Sequence, residues 1–184
     1  MKERITTGTV HVFTYKEGLL SSVAHDLRLT VERFEIEIDA EHRADAAGTT
    51  VIARFWPSTL KIDGAMKNGQ LAGDGATGKA GLSDRDRRDI HDNITEKILH
   101  TDRQSEIRFT GKLAIDAPMA RVDGILLLAG REAPLAVSVR QGDGRYVGEV
   151  EIVPSRWGIP PFKALMGAIR LQDRVRIAFD FPAA

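Results

Sequence analysis

Five histidines, His11, His25, His42, His91 and His100, have the widest chemical scope in this chain. A metal site needs two or more such ligands converging. His91 and His100 sit nine positions apart on one helical segment, without the i, i+4 spacing that stacks two ligands on one helix face. His25 and Asp26 are residue types found in a hydrolytic triad, but neighbours in a strand point to opposite faces. No Gly-x-Ser-x-Gly occurs, and no serine has an obvious base beside it. The 184 residues include no cysteine, which excludes disulfides, thiolate metal sites, a cysteine nucleophile and iron–sulfur clusters. No catalytic residue, no metal and no cofactor is therefore expected. A barrel enzyme working on a small hydrophobic substrate through His25 or a nearby acid is the alternative chemistry, and it would need a perturbed histidine or carboxylate in a cavity.

Charge narrows the partners. Lys plus Arg number 26 and so do Asp plus Glu, so the chain has no overall attraction to phosphate, and neither nucleic acid nor an anionic membrane is an expected partner. Arg28, Arg54, Arg140 and Arg156 are scattered along strand-like segments, and any one of them could reach inward to a polar ligand head. The alternating acids and bases of residues 84–92 read as a solvated helix face with local ion pairs. An apolar share of 42% fits an ordinary soluble globular protein, and the length fits one domain over residues 1–184. The longest apolar run, residues 125–129, is too short to span a bilayer, so no stable membrane insertion is expected. Lys2, Glu3 and Arg4 have no apolar stretch behind them, which predicts a cytoplasmic protein as the sequence stands, or a periplasmic one if a leader is removed.

The elements that must position these residues are mostly strands. Leu27, Leu29 and Val31 alternate with Asp26, Arg28 and Thr30. The parity then flips, and Phe34, Ile36 and Ile38 alternate with Glu35, Glu37 and Asp39. An extra residue near Glu32 and Arg33, a β-bulge, would keep both sets on one face, as a curved barrel strand requires. Alternation recurs through Val51, Ala53 and Phe55, through residues 106–115, and through Val175, Ile177, Phe179 and Phe181. Residues 132–154 read as a hairpin about Gly142-Asp143-Gly144. Two segments break the pattern. Residues 83–100 carry Ile90, Ile94 and Ile98 on one stripe, with Ser83 as N-cap, and predict one amphipathic helix. Pro161 and Gly167 bound a short helical turn near residues 161–166. The glycine-rich residues 63–81 read as turns and loop, with weak strand signals near residues 70–72. The fold class expected is mainly β: an antiparallel barrel of about eight strands with one helix, with room for side chains or one small ligand inside.

Three segments in this order resemble the YceI-like family of polyisoprenoid-binding proteins. They are residues 22–29 leading into Phe34-Glu35-Ile36-Glu37-Ile38-Asp39; residues 82–90 continued to Leu99 and closed by Glu106-Ile107-Arg108-Phe109-Thr110-Gly111; and residues 124–130 with Ser155-Arg156-Trp157-Gly158-Ile159. The resemblance spans about residues 9–181. It implies a lipocalin-like barrel with a helix packed at one end, a long isoprenoid chain in an apolar tunnel, and no catalytic residues.

The candidate ligand-binding surface is the inward face. It comprises Leu27, Leu29, Val31, Phe34, Ile36, Phe55, Phe109, Leu126, Leu128, Val137, Val139, Ile177 and Phe179. Alternation alone does not distinguish a tunnel wall from a packed core. Trp157, Ile159, Phe162, Leu165 and Met166 form a second group, either a mouth or lid over the ligand or a plug closing the barrel end. The expected function is binding or carriage of a hydrophobic small molecule, an isoprenoid or other lipid. A filled barrel acting through its surface, with a homodimer as one form, is the other non-enzymatic reading.

Overall fold

The computed structural model describes residues 2–17, 26–40, 49–72, 81–116, 119–164 and 169–183. They form thirteen antiparallel strands in one sheet. The strands are β1 (Lys2–Ile5), β2 (Thr9–Glu17), β3 (Asp26–Val31), β4 (Phe34–Ala40), β5 (Thr49–Phe55), β6 (Leu60–Lys67), β7 (Gln70–Leu71), β8 (Ile107–Asp116), β9 (Met119–Leu128), β10 (Arg131–Gly142), β11 (Arg145–Ile152), β12 (Lys163–Ala164) and β13 (Ile169–Pro182). Their order in the sheet is β1-β4-β5-β8-β9-β10-β11-β13-β2-β3-β6-β7, with β12 on β13.

Three breaks in this list are corners within bent strands. Only residues 6–8 separate β1 from β2, residues 32–33 separate β3 from β4, and residues 56–59 separate β5 from β6. Taking each pair as one bent strand leaves eight long strands: β1/β2, β3/β4, β5/β6, β8, β9, β10, β11 and β13. β13 pairs with β2, and β2 continues through the corner into β1, which pairs with β4. Chain continuity thus brings the sheet round on itself.

The three corners lie side by side, and each flips the side-chain parity. Ile5 and Val10, Val31 and Phe34, and Phe55 and Leu60 all pack into the interior although an odd number of positions separates each pair. The expected bulge near Glu32 and Arg33 is this corner. Its backbone is tied to the neighbouring one: Glu32 N donates to Thr59 O (3.3 Å), Arg33 N to Thr59 Oγ1 (3.0 Å) and Trp56 N to Arg33 O (3.1 Å). Gly8, with φ of +121°, turns the third corner where a Cβ would lie 2.5 Å from Asp180 O.

The helix α1 (Asp84–Asp92) begins at a capping box. Ser83 Oγ accepts from Asp86 N (3.2 Å) while Asp86 Oδ2 accepts from Ser83 N (2.9 Å). It continues into a π-helical turn over Asn93–Ile98, in which Leu99 N donates to Ile94 O at 2.9 Å. The wider turn changes the expected stripe. Ile90 and Ile94 pack on Leu27, Leu29 and Ile62, but Leu99 rather than Ile98 reaches the main core.

Two expectations change. The segment read as turns and loop contains the later part of β6 (residues 63–67) and a tight hairpin to β7. Asn68 (φ 53°) and Gly69 (φ 78°) form its turn, the left-handed pair that an Asn-Gly dipeptide supplies. The helical turn near residues 161–166 gives way to strand: Lys163 and Ala164 pair with Arg170 and Ile169, and Leu171 N donates to Phe162 O (3.1 Å). An adjacent ladder offers those backbone groups better partners than one isolated helical turn does. Leu165, Met166 and Gly167 lie outside the described residues, as do His25 and His42. Among the described residues no helix is long and apolar enough to cross a membrane.

Inward-facing glycines set the barrel's curvature. Gly111 and Gly124 face each other across β8 and β9, with the Phe109 ring against both, and the Phe179 ring lies against Gly148. A Cβ on Gly124 would sit 2.4 Å from Thr110 O and 2.7 Å from Phe109 Cζ, whereas one on Gly142 would meet nothing within 4 Å. Gly124→Ala is therefore expected to cost about 1–3 kcal/mol by overpacking. Gly142→Ala is expected to stay within about 0.5 kcal/mol of the parent. Urea unfolding of the two variants checks the contrast.

Candidate functional site

Every one of the eight long strands contributes side chains to one internal cavity of about 470 Å³. That volume lies within the roughly 300–1,000 Å³ of small-molecule sites. Of the inward residues expected from alternation, Val31, Ile36, Phe55, Phe109, Leu126, Leu128, Val137, Val139, Ile177 and Phe179 line it. Three do not. Leu27 and Leu29 share the inner face of β3, but they lie past the cavity, where α1 and the π-helical turn after it cover them with Ile90 and Ile94. Phe34 is buried at the corner against Phe181, ring centroids 5.1 Å apart, and packs rather than lines. The corner explains all three. Strand β3 leaves the barrel's circumference there, so its far half meets the helix instead of the opposite wall.

Sequence reasoning missed part of the wall. Ile5, Val10, Val12, Ala53 and Val122 also line the cavity. The alternation of Val10 and Val12 with His11 and Phe13 carried that signal, as did Val122 two positions before Gly124. It also left out of the candidate site Gln141 and Tyr146, the polar members of the lining among the described residues. Gln141 reads as a hairpin residue beside the turn, whereas Tyr146 continues the inward alternation of Val150 and Ile152.

The cavity has a closed end and an open one. Along β9 the lining passes from buried Leu128, Leu126 and Val122 to half-buried Ala120 and then Met119, which is 43% exposed. Along β10 and β11 the change is the same, ending at exposed Gln141 and half-buried Tyr146. Residues that line the cavity and also meet solvent mark its mouth. Trp157 lies at the other end. It is 1% exposed, its Nε1 donates to Leu126 O (2.9 Å), and Arg156 stacks over its ring at 5.7 Å. Ile159 packs on the same core, and half-buried Phe162 stays out of the lining. Of the mouth-or-plug alternatives, Trp157 and Ile159 take the plug, since a fully buried indole with its donor satisfied has no opening to gate.

The lining is electrostatically bare. Among the described residues it includes no histidine, carboxylate, lysine or arginine. The arginines considered as inward anchors are committed elsewhere. Arg28 Nε pairs with Asp63 Oδ2 (2.8 Å), and Arg54 bridges Glu35 (3.1 Å) and Glu37 (2.8 Å). Arg140 is exposed on the outer face, where it lines a surface groove with Ser138 and Glu149. His11 Nδ1 lies 3.0 Å from Thr30 Oγ1, also outside the barrel. No cluster of three or more potential metal ligands occurs among the described residues. At the mouth, Tyr146 Oη donates to Glu3 Oε2 at 3.4 Å, joining β11 to β1. Burial, with the Glu3 carboxylate beside it, holds the Tyr146 phenol above its ordinary value of 10.0.

No family model matches the sequence, and no curated protein matches it. Solved structures do. BcnA of Burkholderia cenocepacia superposes with a TM-score of 0.65 at 14% identity, over 96% of both chains. A polyisoprenoid binding domain from Saccharophagus degradans, implicated in plant cell wall breakdown, superposes with a TM-score of 0.56 at 10% identity, over 98% of this chain and 96% of that one. A Campylobacter jejuni YceI protein matches over 71% of this chain and 70% of its own, with a TM-score of 0.46 at 14% identity. At the level of the fold, the chain is similar to BcnA and to that polyisoprenoid binding domain over nearly its whole length.

Two outcomes follow from the closed and open ends. Trp157→Phe is expected to lose about 1–3 kcal/mol of stability by stranding Leu126 O, measured by chemical denaturation. A plug has that effect without changing how fast small apolar probes enter the barrel. For Tyr146, the native state binds the phenolic proton more tightly than the unfolded chain does. The resulting stability is full below pH 10 and is lost as pH rises through the native value. The parent and Tyr146→Phe should therefore differ by a constant amount below pH 10, and the parent's advantage should fall only as the pH rises above it, measured by unfolding across alkaline pH.

Proposed function

We propose, with the YceI-like fold as premise, that this protein binds and carries a hydrophobic ligand, an isoprenoid or another lipid, inside its barrel. One observation carries this reading: an internal space of about 470 Å³ lined by apolar side chains except for Gln141 and Tyr146 at one end. An alkyl or prenyl chain entering it gains about 0.8 kcal/mol for each CH₂ taken from water. A water-filled space with so few polar partners is correspondingly unfavourable. Isoleucine, valine, leucine and phenylalanine supply the contact surface, and the mouth group leaves the polar end of the ligand within reach of solvent.

The polyisoprenoid binding domain that shares the fold supports the choice of ligand class. An enzymatic reading has less support, because the described lining offers no acid or base to a substrate. A filled barrel acting through its surface is disfavoured by the cavity itself.

Mass spectrometry of an organic extract of the protein, purified without detergent from its native host, tests the proposal. A stoichiometric isoprenoid or lipid is the expected result. Ala120→Trp, which would push an indole into the mouth side of the cavity, should reduce the captured ligand by at least about tenfold while the fold persists. An empty extract, together with no uptake of long-chain prenyl or acyl probes, would overturn it.

A further inference from the structure

The cavity has a fixed depth, and depth limits the length of chain that it takes. On β9 the lining runs from Ala120 to Leu128, on β10 from Leu135 to Gln141 and on β11 from Tyr146 to Ile152, six to eight residue steps in each case. A strand rises about 3.3 Å per residue and leans about 40° from a barrel axis, so these bands enclose a space roughly 15–20 Å deep. An extended chain advances about 1.2 Å per bond, the backbone's roughly 3.6 Å per residue divided over its three bonds. With four bonds to a prenyl unit, the depth matches roughly three or four units, or about 13–17 straight-chain carbons.

The far end is closed by packed residues. Leu128 and Ile152, both buried, are the last lining residues on their strands. Strand β9 turns back immediately after Leu128 through Ala129 (φ 48°) and Gly130 (φ 76°). Phe34, Ala133 and Trp157 are buried in the same core without lining the cavity, and the indole nitrogen of Trp157 is tied to Leu126 O (2.9 Å). Past the corner, Leu29 and Ile62 are packed under Ile90 and Ile94. A chain that enters beside Met119 and Tyr146 therefore stops at Leu128 and Ile152 instead of threading through the barrel. Folding back does not accommodate a longer one. At about 30 Å³ per methylene-sized group, the share of one liquid water, the roughly 40 carbons of an eight-unit chain need about 1,200 Å³. The cavity offers about 470 Å³.

Resting on the carrier reading above, we propose that the barrel is a length gauge: it takes one hydrocarbon chain about as long as three or four prenyl units, with the far end of the chain against Leu128 and Ile152, and does not enclose a polyprenyl chain of eight. Up to that length, each added CH₂ leaves water for an apolar wall. Beyond it, each added carbon stands outside the mouth and contributes nothing.

The test offers the protein two equimolar mixtures, prenols of about two to eight units and straight-chain alcohols of about 10 to 30 carbons, and identifies the captured members by mass spectrometry. Capture should peak at about three or four units in the first and about 13–17 carbons in the second, each peak roughly tenfold above both ends of its series. Leu128→Ala should move both peaks to longer chains, and Leu128→Phe should move them to shorter ones. A further measurement leaves the floor intact. In Trp56→Phe protein, whose one tryptophan is Trp157, a straight-chain alcohol brominated at its far end should quench the fluorescence more than one brominated beside its hydroxyl. Capture that rises through the longest member of either series, peaks that folded floor variants leave in place, or equal quenching by the two bromides overturns the gauge. If the longest chains are captured as well as the short ones, the carrier reading stands and the gauge falls. If no chain is captured, both fall.

Discussion

The structure depends on keeping one face of the sheet apolar through a bend. A strand side chain changes face at every residue, so an odd step between inward residues would turn the next half of a regular strand inside out unless a corner absorbs the extra position. Three adjacent strands bend at the same level, and in each the corner takes an odd step: Ile5 to Val10, Val31 to Phe34, Phe55 to Leu60. Because the steps agree, the inner face stays continuous across all three strands. The barrel wall and the surface beneath α1 are two halves of that face. The backbone bonds from Glu32, Arg33 and Trp56 to the neighbouring corner fix the bends to one another rather than to solvent.

The charge balance follows from the same parity. Charged residues on the outward positions pair mostly across strands, with Arg121 and Asp123 (2.8 Å) pairing along β9. Arg176 Nη1 reaches Glu149 Oε2 (3.0 Å) and its guanidinium stacks on Phe13 at 4.2 Å, and Arg174 does the equivalent with Glu151 (3.4 Å) and Tyr15 (4.8 Å). Exposed pairs of this kind contribute little each. Their consequence is compositional: the cations and acids balance outside, and the interior can be nearly free of charge. Net neutrality in the composition is the outer surface seen in sum.

Hollowness and packing compete inside. Small residues on the inner face, Gly111, Gly124, Gly148 and Ala53, reduce the volume that side chains fill, and the ring tips of Phe109 and Phe179 lie over the glycines. The closed end resolves the competition differently, with Trp157 filling it and its indole nitrogen satisfied by Leu126 O. The barrel is therefore packed at one end and open at the other. The cavity is bounded by the same phenylalanines that hold the sheet's curvature.

Strand existence, inward parity, the hairpin about Asp143 and Gly144, and the helix start at Ser83 were all legible in the sequence, because each depends on neighbours within a few positions. The parity flip at residues 31–34 was legible for the same reason. The β6–β7 hairpin was missed although Asn68-Gly69 encodes its turn, since glycines and polar residues on either side masked the short strands. Three things were decided only by tertiary structure. Leu27 and Leu29 carry the same alternation as Val31, and only the course of β3 past the corner puts the helix, rather than the cavity, over them. Trp157 was open to a lid or a plug reading until Leu126 O met its nitrogen. Tyr146 and Glu3 are separated by 143 positions, and no local pattern brings them together at the mouth. Alternation determines which side of a strand is apolar; which wall faces that side, and whether space is left between them, depends on how distant strands close.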